Sequence, residues 1–294
     1  MTRFKLGQLP PEPDPKAKLL KNYLDRKAIT PPATEPIDMS KYAAKYDYVM
    51  TAMMANGPDP VAPLKIAPFG VGDCVFAAAV RFAALEGLSR GRVLFKNAAD
   101  MCTAALDGYA STGWDINQTD SQGNNPTDQG TIPNRAFKWL QTKGLLCSNG
   151  SRHKFGPMLQ VNPLDFAEVI IAMNIAQGIM IGVNFPAAWD NSPIWDVTNT
   201  PLEGGHEIPG YSDLKLTTSG IQIDTWGNAA PGPRIITPGG LAQQCNQLTV
   251  IIDPLEFGFG RHGKKANGKR RRGRNIEGFN HAQWLADVAA DGGF

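Results

Sequence analysis

Apolar residues crowd one stretch of the chain more than any other: DCVFAAAVRFAALE, from Asp73 to Glu86, is hydrophobic almost all round and holds no helix breaker. A surface helix would show a polar face, so this pattern predicts a helix buried in the middle of a domain. Asp73 suits its N-cap and Gly87 its stop. Further helices are predicted at Ala98 to Tyr109, at Pro133 to Lys143, and at Pro163 to Gln177, the last opening on Asp165 and Glu168. The texture then changes. Gly178 to Asn184, His206 to Tyr211, Gly220 to Asp224 and Gln247 to Asp253 alternate or run apolar between Gly, Pro, Asn and Asp, which is strand chemistry. Helices first and strands second predict an α+β domain with a helical half and a mainly antiparallel sheet half.

Outside that domain the patterning fades. Of the 23 prolines, 11 fall in the first 68 residues, where fixed φ and missing donors favour an extended arm with at most a short helix at Lys16 to Arg26. Such an arm lies along its own body or grips a neighbour. Beyond Asp253 the chain is glycine-rich and basic, and it closes with a short amphipathic stretch that can dock through Trp284, Leu285 and Val288. The division is therefore 1–45 proline-rich arm, 46–256 globular domain, 257–294 basic tail with a terminal helix.

The formal net charge of +2 conceals an uneven distribution. Arg261, Lys264, Lys265, Lys269, Arg270, Arg271, Arg272 and Arg274 share one window without an acidic residue, so the 29 basic residues minus these eight are outnumbered by the 27 acidic ones. The run is open to three readings: a solvated tail, a phosphate-directed nucleic-acid contact without sequence specificity, or a nuclear-import-like patch. No aromatic residue interleaves with it to stack on bases. The apolar content of 42% suffices for a real core, and no stretch has the length of a membrane span or the h-region of a signal peptide. The expectation is a cytoplasmic, non-secreted protein. Cys74, Cys102, Cys147 and Cys245 lie far apart without a C-x-x-C pair, which predicts free thiols, no metal centre and no cofactor.

Cys74 stands where the buried helix starts, where the helix dipole favours a thiolate. Asp73 opposes this electrostatically, so a cationic partner is required. His206, within GGHEIPGY, can take the thiol proton and return it to a leaving amine. Asp224 follows after a strand, a turn and a return strand, placed to orient the imidazole, with Trp226 beside it as a shield. His206 and Asp224 follow Cys74 by 132 and 150 residues.

Cys74 at the head of a buried helix, His206 in Gly-Gly-His opening a strand and Asp224-Thr-Trp-Gly227 closing the next strand together resemble the papain-like cysteine peptidase superfamily, whose corresponding stretch reads Asn-Ser-Trp-Gly. The Thr127-Asp-Gln-Gly-Thr131 segment, with Gln129 and Gly130, is similar to the superfamily's cleft-lining segment. Gly72-Asp-Cys-Val-Phe-Ala-Ala-Ala79, the opening Phe4-Lys-Leu-Gly-Gln-Leu-Pro and the run before Ala136-Phe-Lys-Trp-Leu140 are similar to papain-fold proteins of phages and prophages, over about residues 1 to 256. The resemblance implies a two-lobe fold, a Cys-His-Asp triad of Cys74, His206 and Asp224 supported by Trp226, Gly205 and Asp73, and a protein or peptide substrate. One position departs: Pro68 stands where the superfamily has an oxyanion-binding amide, a loss worth about 10²- to 10³-fold in rate. Two functions stay open, a cysteine peptidase that is virion-associated or free, and a weak or inactive papain-fold component of a phage particle. In the second, the arm contacts neighbouring subunits and the tail contacts nucleic acid or an acidic partner. A third reading makes residues 1 to about 40 a prosegment over the cleft.

Overall fold

The structure is a computed structural model that describes residues 6–13, 18–25, 71–89, 92–122, 124–156, 158–176, 178–211, 220–223, 225 and 234–251. Six α-helices are described: α1 (Leu20–Asp25), α2 (Cys74–Ser89), α3 (Ala98–Ala110), α4 (Pro133–Thr142), α5 (Phe166–Ala176) and α6 (Pro238–Gln244). Strands β1 (Leu145–Leu146) and β2 (Arg152–His153) form a small hairpin. Strands β3 (Met158–Gln160), β4 (Ile179–Pro186), β5 (Ile194–Trp195), β6 (Leu202–Tyr211), β7 (Ile221–Ile223), β8 (Arg234–Ile236) and β9 (Cys245–Ile251) form a sheet in the order β3-β9-β4-β6-β7-β8-β5. Among the described residues the β5/β8 pair is parallel and the other pairs of this sheet are antiparallel.

The all-round apolar helix is as buried as its pattern demands. Val75, Phe76, Phe82 and Leu85 of α2 pack with Tyr109, Phe137 and Leu140 to make the core of the helical lobe. A second core fills the sheet lobe around Ile181, Val183, Ile208 and Ile236. There Trp189 and Trp195 stack at 4.8 Å, and Phe185 meets both rings edge-on. α2 packs on β6, so the N-terminus of the helix and the middle of the strand meet between the lobes. This is an α+β fold of two lobes, as the order of patterns indicates.

Several boundaries differ from the sequence reading, each for a local reason. α2 runs past Gly87 to Ser89; a Cβ at Gly87 would stand 3.1 Å from the Leu94 side chain, so this glycine serves close packing rather than termination. α5 starts at Phe166, because Asp165 caps it by accepting the Glu168 N–H at 3.1 Å. β6 starts at Leu202, which puts His206 in mid-strand rather than at its opening. α6 went unread, although Thr237 caps it through the Gly240 N–H at 3.0 Å and Pro238 follows. The basic tail from Arg261 to Arg274, the terminal helix and Pro68 lie outside the described residues. Among the described residues no helix is long and apolar enough to cross a membrane.

α3 crosses α2 at Gly108, where an added Cβ would come within 2.3 Å of the Phe76 ring. Helix propensity favours alanine by about 1 kcal/mol, but Phe76 is fully buried and has no room to retreat. Gly108→Ala should therefore destabilise by about 1–3 kcal/mol, read from urea unfolding; a stabilised variant would show that the two helices lie further apart.

Candidate active site

Cys74 is the first residue of α2, and the Asp73 carbonyl accepts the N–H groups of Phe76 and Ala77 at 2.9 and 3.0 Å. Asp73 itself is buried beside it. The thiol is completely buried, and the backbone N–H groups of Glu207 and Gly7 point at the sulfur. The first of these belongs to the peptide group that joins His206 to Glu207, so Cys74 sits against the strand at the predicted histidine. Loss of solvation outweighs both hydrogen bonds and pushes the thiol up to about 12.

His206 is held on β6 opposite Val183 of β4. Its ring is buried, meets Phe185 edge-on at 5.8 Å, and places Nε2 3.3 Å from the Thr225 hydroxyl. Burial lowers it from the ordinary 6.5 to about 3. The closed structure therefore holds a neutral thiol and a neutral imidazole, not an ion pair. Asp224 and Trp226 lie outside the described residues. Thr225, between them, is the member of that motif described next to the ring.

The Gly7 N–H comes from the arm. Leu6 to Leu9 cross the space before Cys74 as an extended segment bonded to both lobes. On the sheet side, Gln8 N–H donates to the Gly205 carbonyl at 3.0 Å. On the helical side, Thr131 N–H donates to the Gly7 carbonyl at 2.7 Å and Leu9 N–H to the Thr131 carbonyl at 2.9 Å. The approach is too close for side chains. Added Cβ atoms would stand 2.0 Å from the Gly72 oxygen at Gly7, 2.5 Å from the Gly7 oxygen at Gly130, and 2.2 Å from the Gln8 oxygen at Gly205. Gly130 also has φ of +80°, which favours glycine independently. Gln129 is exposed, and its amide turns back to the Pro126 carbonyl. Further along the arm, Glu12 pairs with Arg135 on α4, and the Lys18 carbonyl accepts the Gln160 N–H at 2.7 Å on the edge of β3. The described parts of the arm thus lie along their own body.

Asp128 holds the helical wall together. It accepts the Gly72 N–H at 3.0 Å and the Tyr109 hydroxyl, and that hydroxyl in turn accepts the Gly130 N–H at 3.0 Å. Burial and the Asp128 carboxylate keep the Tyr109 phenol raised and protonated. The loop before Cys74 and the loop bearing Gly130 are so fixed to each other. Among the described residues no group of three His, Cys, Asp or Glu side chains is placed to hold a metal ion. Sequence reasoning missed Gln8, Tyr109, Glu207, Thr225 and Asn246. Of these, only Thr225, inside the Asp-Thr-Trp-Gly motif, and Gln8, between Gly7 and Leu9 in the quoted opening, carried a local signal.

No protein-family model and no curated protein sequence matches the chain. Solved structures do. Xylellain, a cysteine protease from Xylella fastidiosa, superposes with a TM-score of 0.53 over 86% of this chain and 97% of its own, at 14% identity. A procathepsin B from Trypanosoma congolense gives a TM-score of 0.45 at 10% identity, covering 84% of this chain and 85% of its own. The Carica candamarcensis protease CMS1MS2, in complex with E-64, gives 0.42 at 15% identity, covering 66% and 93%. The likeness to xylellain establishes the papain-like two-lobe fold.

Two measurements probe this geometry. Gly7→Val forces the arm off Gly72, and Cys74 alkylation by iodoacetamide should rise by roughly tenfold or more as the thiol regains solvent; an unchanged rate would mean the arm does not seal the sulfur. The second concerns pH. The unfolded chain protonates His206 below 6.5 while the fold resists down to about 3, so this contribution is lost as pH falls through that window. Glu207 is raised well above its ordinary 4.5, so its contribution is present below 4.5 and lost as pH rises. Glu207→Gln cancels only the second effect. The variant's stability relative to the native chain should climb as pH rises above about 4.5 in urea titrations; a flat difference would show an ionised Glu207 in the fold.

Proposed function

We propose that the chain is a cysteine-type amide hydrolase acting on protein or peptide substrates, held here in a closed state by its own arm. The observation that carries this reading is the position of Cys74. It opens the central helix of a papain-like fold and lies against the His206–Glu207 peptide group, under an extended segment bonded to both walls. A cleft that binds one extended backbone by β-type hydrogen bonds is suited to bind another.

In the working enzyme the arm is displaced and water reaches the two side chains, which removes the desolvation that keeps both neutral. His206 then takes the Cys74 proton, and the sulfur attacks the substrate carbonyl carbon to form a tetrahedral adduct. Collapse breaks the C–N bond, and the amine leaves with the proton returned by His206. A water molecule, deprotonated by the same imidazole, attacks the thioester; the acid departs and the thiol is restored. Asp224 is assigned the orienting role, with Trp226 shielding it and the Thr225 hydroxyl beside Nε2. Backbone N–H groups at the start of α2 supply the oxyanion donors, in the absence of an amide at Pro68.

A second reading has one observation in its favour. The arm is fastened at Gly205, Thr131, Arg135 and Gln160, which also suits a permanent scaffold, such as a papain-fold component of a phage particle. In that reading the basic tail would touch packaged nucleic acid through phosphates, an idea that rests on its charge run alone.

The two readings part on turnover. A casein-derived peptide pool incubated with the Gly7→Val chain should be cleaved, with Cys74→Ala reducing cleavage to background and His206→Ala lowering it by about 10²-fold or more. A chain whose Cys74 alkylates freely and yet cleaves no peptide would favour the scaffold.

A further inference from the structure

Gln8 does more than lie across the cleft. Its side chain is 4% exposed and enters a polar recess built by three neighbouring strands: Gly182 of β4, Glu207 of β6 and Asn246 of β9. The Gln8 amide nitrogen donates to Glu207 Oε2 and to Asn246 Oδ1, both at 3.1 Å. The Asn246 amide nitrogen lies 3.3 Å from Gln8 Oε1 and donates also to Asn184 Oδ1 at 3.1 Å. Gly182 makes room for this: a Cβ there would stand 2.1 Å from Gln8 Nε2.

The recess does not need the arm to exist. Gly182 and Glu207 are register partners in the β4/β6 pair, and β9 flanks β4 on its other side. A stretch that merely covered Cys74 could fill this place with an apolar residue at no cost in polar desolvation. A buried carboxamide is tolerable only where donor and acceptor are both met, and here they are. Among the described residues Glu207 Oε1 has no hydrogen-bond partner, so the recess keeps spare polar capacity beside the amide. Alternative side chains fit worse. Leucine leaves Glu207 and Asn246 without the amide's hydrogen bonds, an ionised glutamate offers no donor, and lysine offers no acceptor. In the closed chain burial raises the Glu207 carboxyl well above its ordinary range, which favours its neutral form beside the amide.

We infer that Gly182, Glu207 and Asn246 form a carboxamide-recognition subsite that selects peptide substrates carrying glutamine in the segment that crosses Cys74, with Gln8 as its occupant in the closed chain. This rests on the reading of Cys74 as the nucleophile of an amide hydrolase. Release of the arm then exposes thiol and subsite together.

The test has a cis and a trans part, both read by iodoacetamide alkylation of Cys74, which needs no turnover. In the full chain, Gln8→Leu, Gln8→Glu, Gln8→Lys and Gly182→Ala should each speed alkylation by roughly tenfold. Protection undiminished in Gln8→Leu would overturn the inference. In trans, the opened Gly7→Val chain is challenged with the peptide Leu-Gly-Gln-Leu-Pro and with versions carrying Leu, Glu or Lys in place of Gln; Gln8→Ala, which empties the recess without touching Gly7, serves as a second opened chain. The glutamine peptide should protect Cys74 at roughly tenfold lower concentration than the others, and Asn246→Leu should erase that advantage. Equal protection by all four, or a preference for lysine, would overturn it. Protection by the glutamine peptide without cleavage of any peptide would sustain the recognition and sink the hydrolase reading. Cleavage indifferent to glutamine would do the reverse.

Discussion

The two lobes meet over a segment of four residues. Leu6 to Leu9 give their backbone donors and acceptors to Gly205 on one side and Thr131 on the other, and the closed arrangement of the site follows. With this segment in place the sulfur of Cys74 sees two N–H groups and no water, and His206 sees aromatic and hydroxyl neighbours. Both titrating groups are therefore neutral, although an ion pair is what nucleophilic chemistry asks of them. Loss of solvation is what keeps both groups neutral in this state.

Steric allowance makes the tie possible. A strand can be bonded on both edges across a narrow cleft only where its neighbours carry no side chain, and Gly72, Gly130 and Gly205 supply that gap in the walls while Gly7 supplies it in the arm. The Asp128–Tyr109 pair keeps the helical wall from drifting, and the flanking strands β4 and β9 keep the sheet wall rigid. Within this clearance the Gln8 side chain is directed into the sheet lobe and there meets groups matched to an amide. Shape and polarity thus point to the same occupant, an extended peptide with a carboxamide at one place.

Much of this was legible in the sequence where a pattern was local and strong. The unbroken apolar run of α2 and the strand texture after Gly178 each have one dominant physical reading, and the lobes and the placing of Cys74 came from them. The short strands β5 and β8 were not legible, because two or three residues carry no period. Glu207 was hidden by its own strand, where alternation assigns it a face but not a partner 199 residues away. Gln8 lay in a proline-rich stretch that reads as an extended arm along its own body or on a neighbour; the quoted opening marks its place, but the partners that bury it are tertiary. The strand placement of His206, by contrast, was misjudged only at its edge, since glycines read as a boundary yet here continue β6.

The most direct measurement of the account is hydrogen–deuterium exchange at single-residue resolution on the full chain. The amide protons of Gln8 and Leu9, which donate to Gly205 and Thr131, and that of Thr131, which donates to Gly7, should be protected together and open in one step. Exchange of Gln8 and Leu9 at the rate of a free peptide, with Thr131 equally fast, would contradict the closed cleft and with it the electrostatic state assigned to Cys74 and His206.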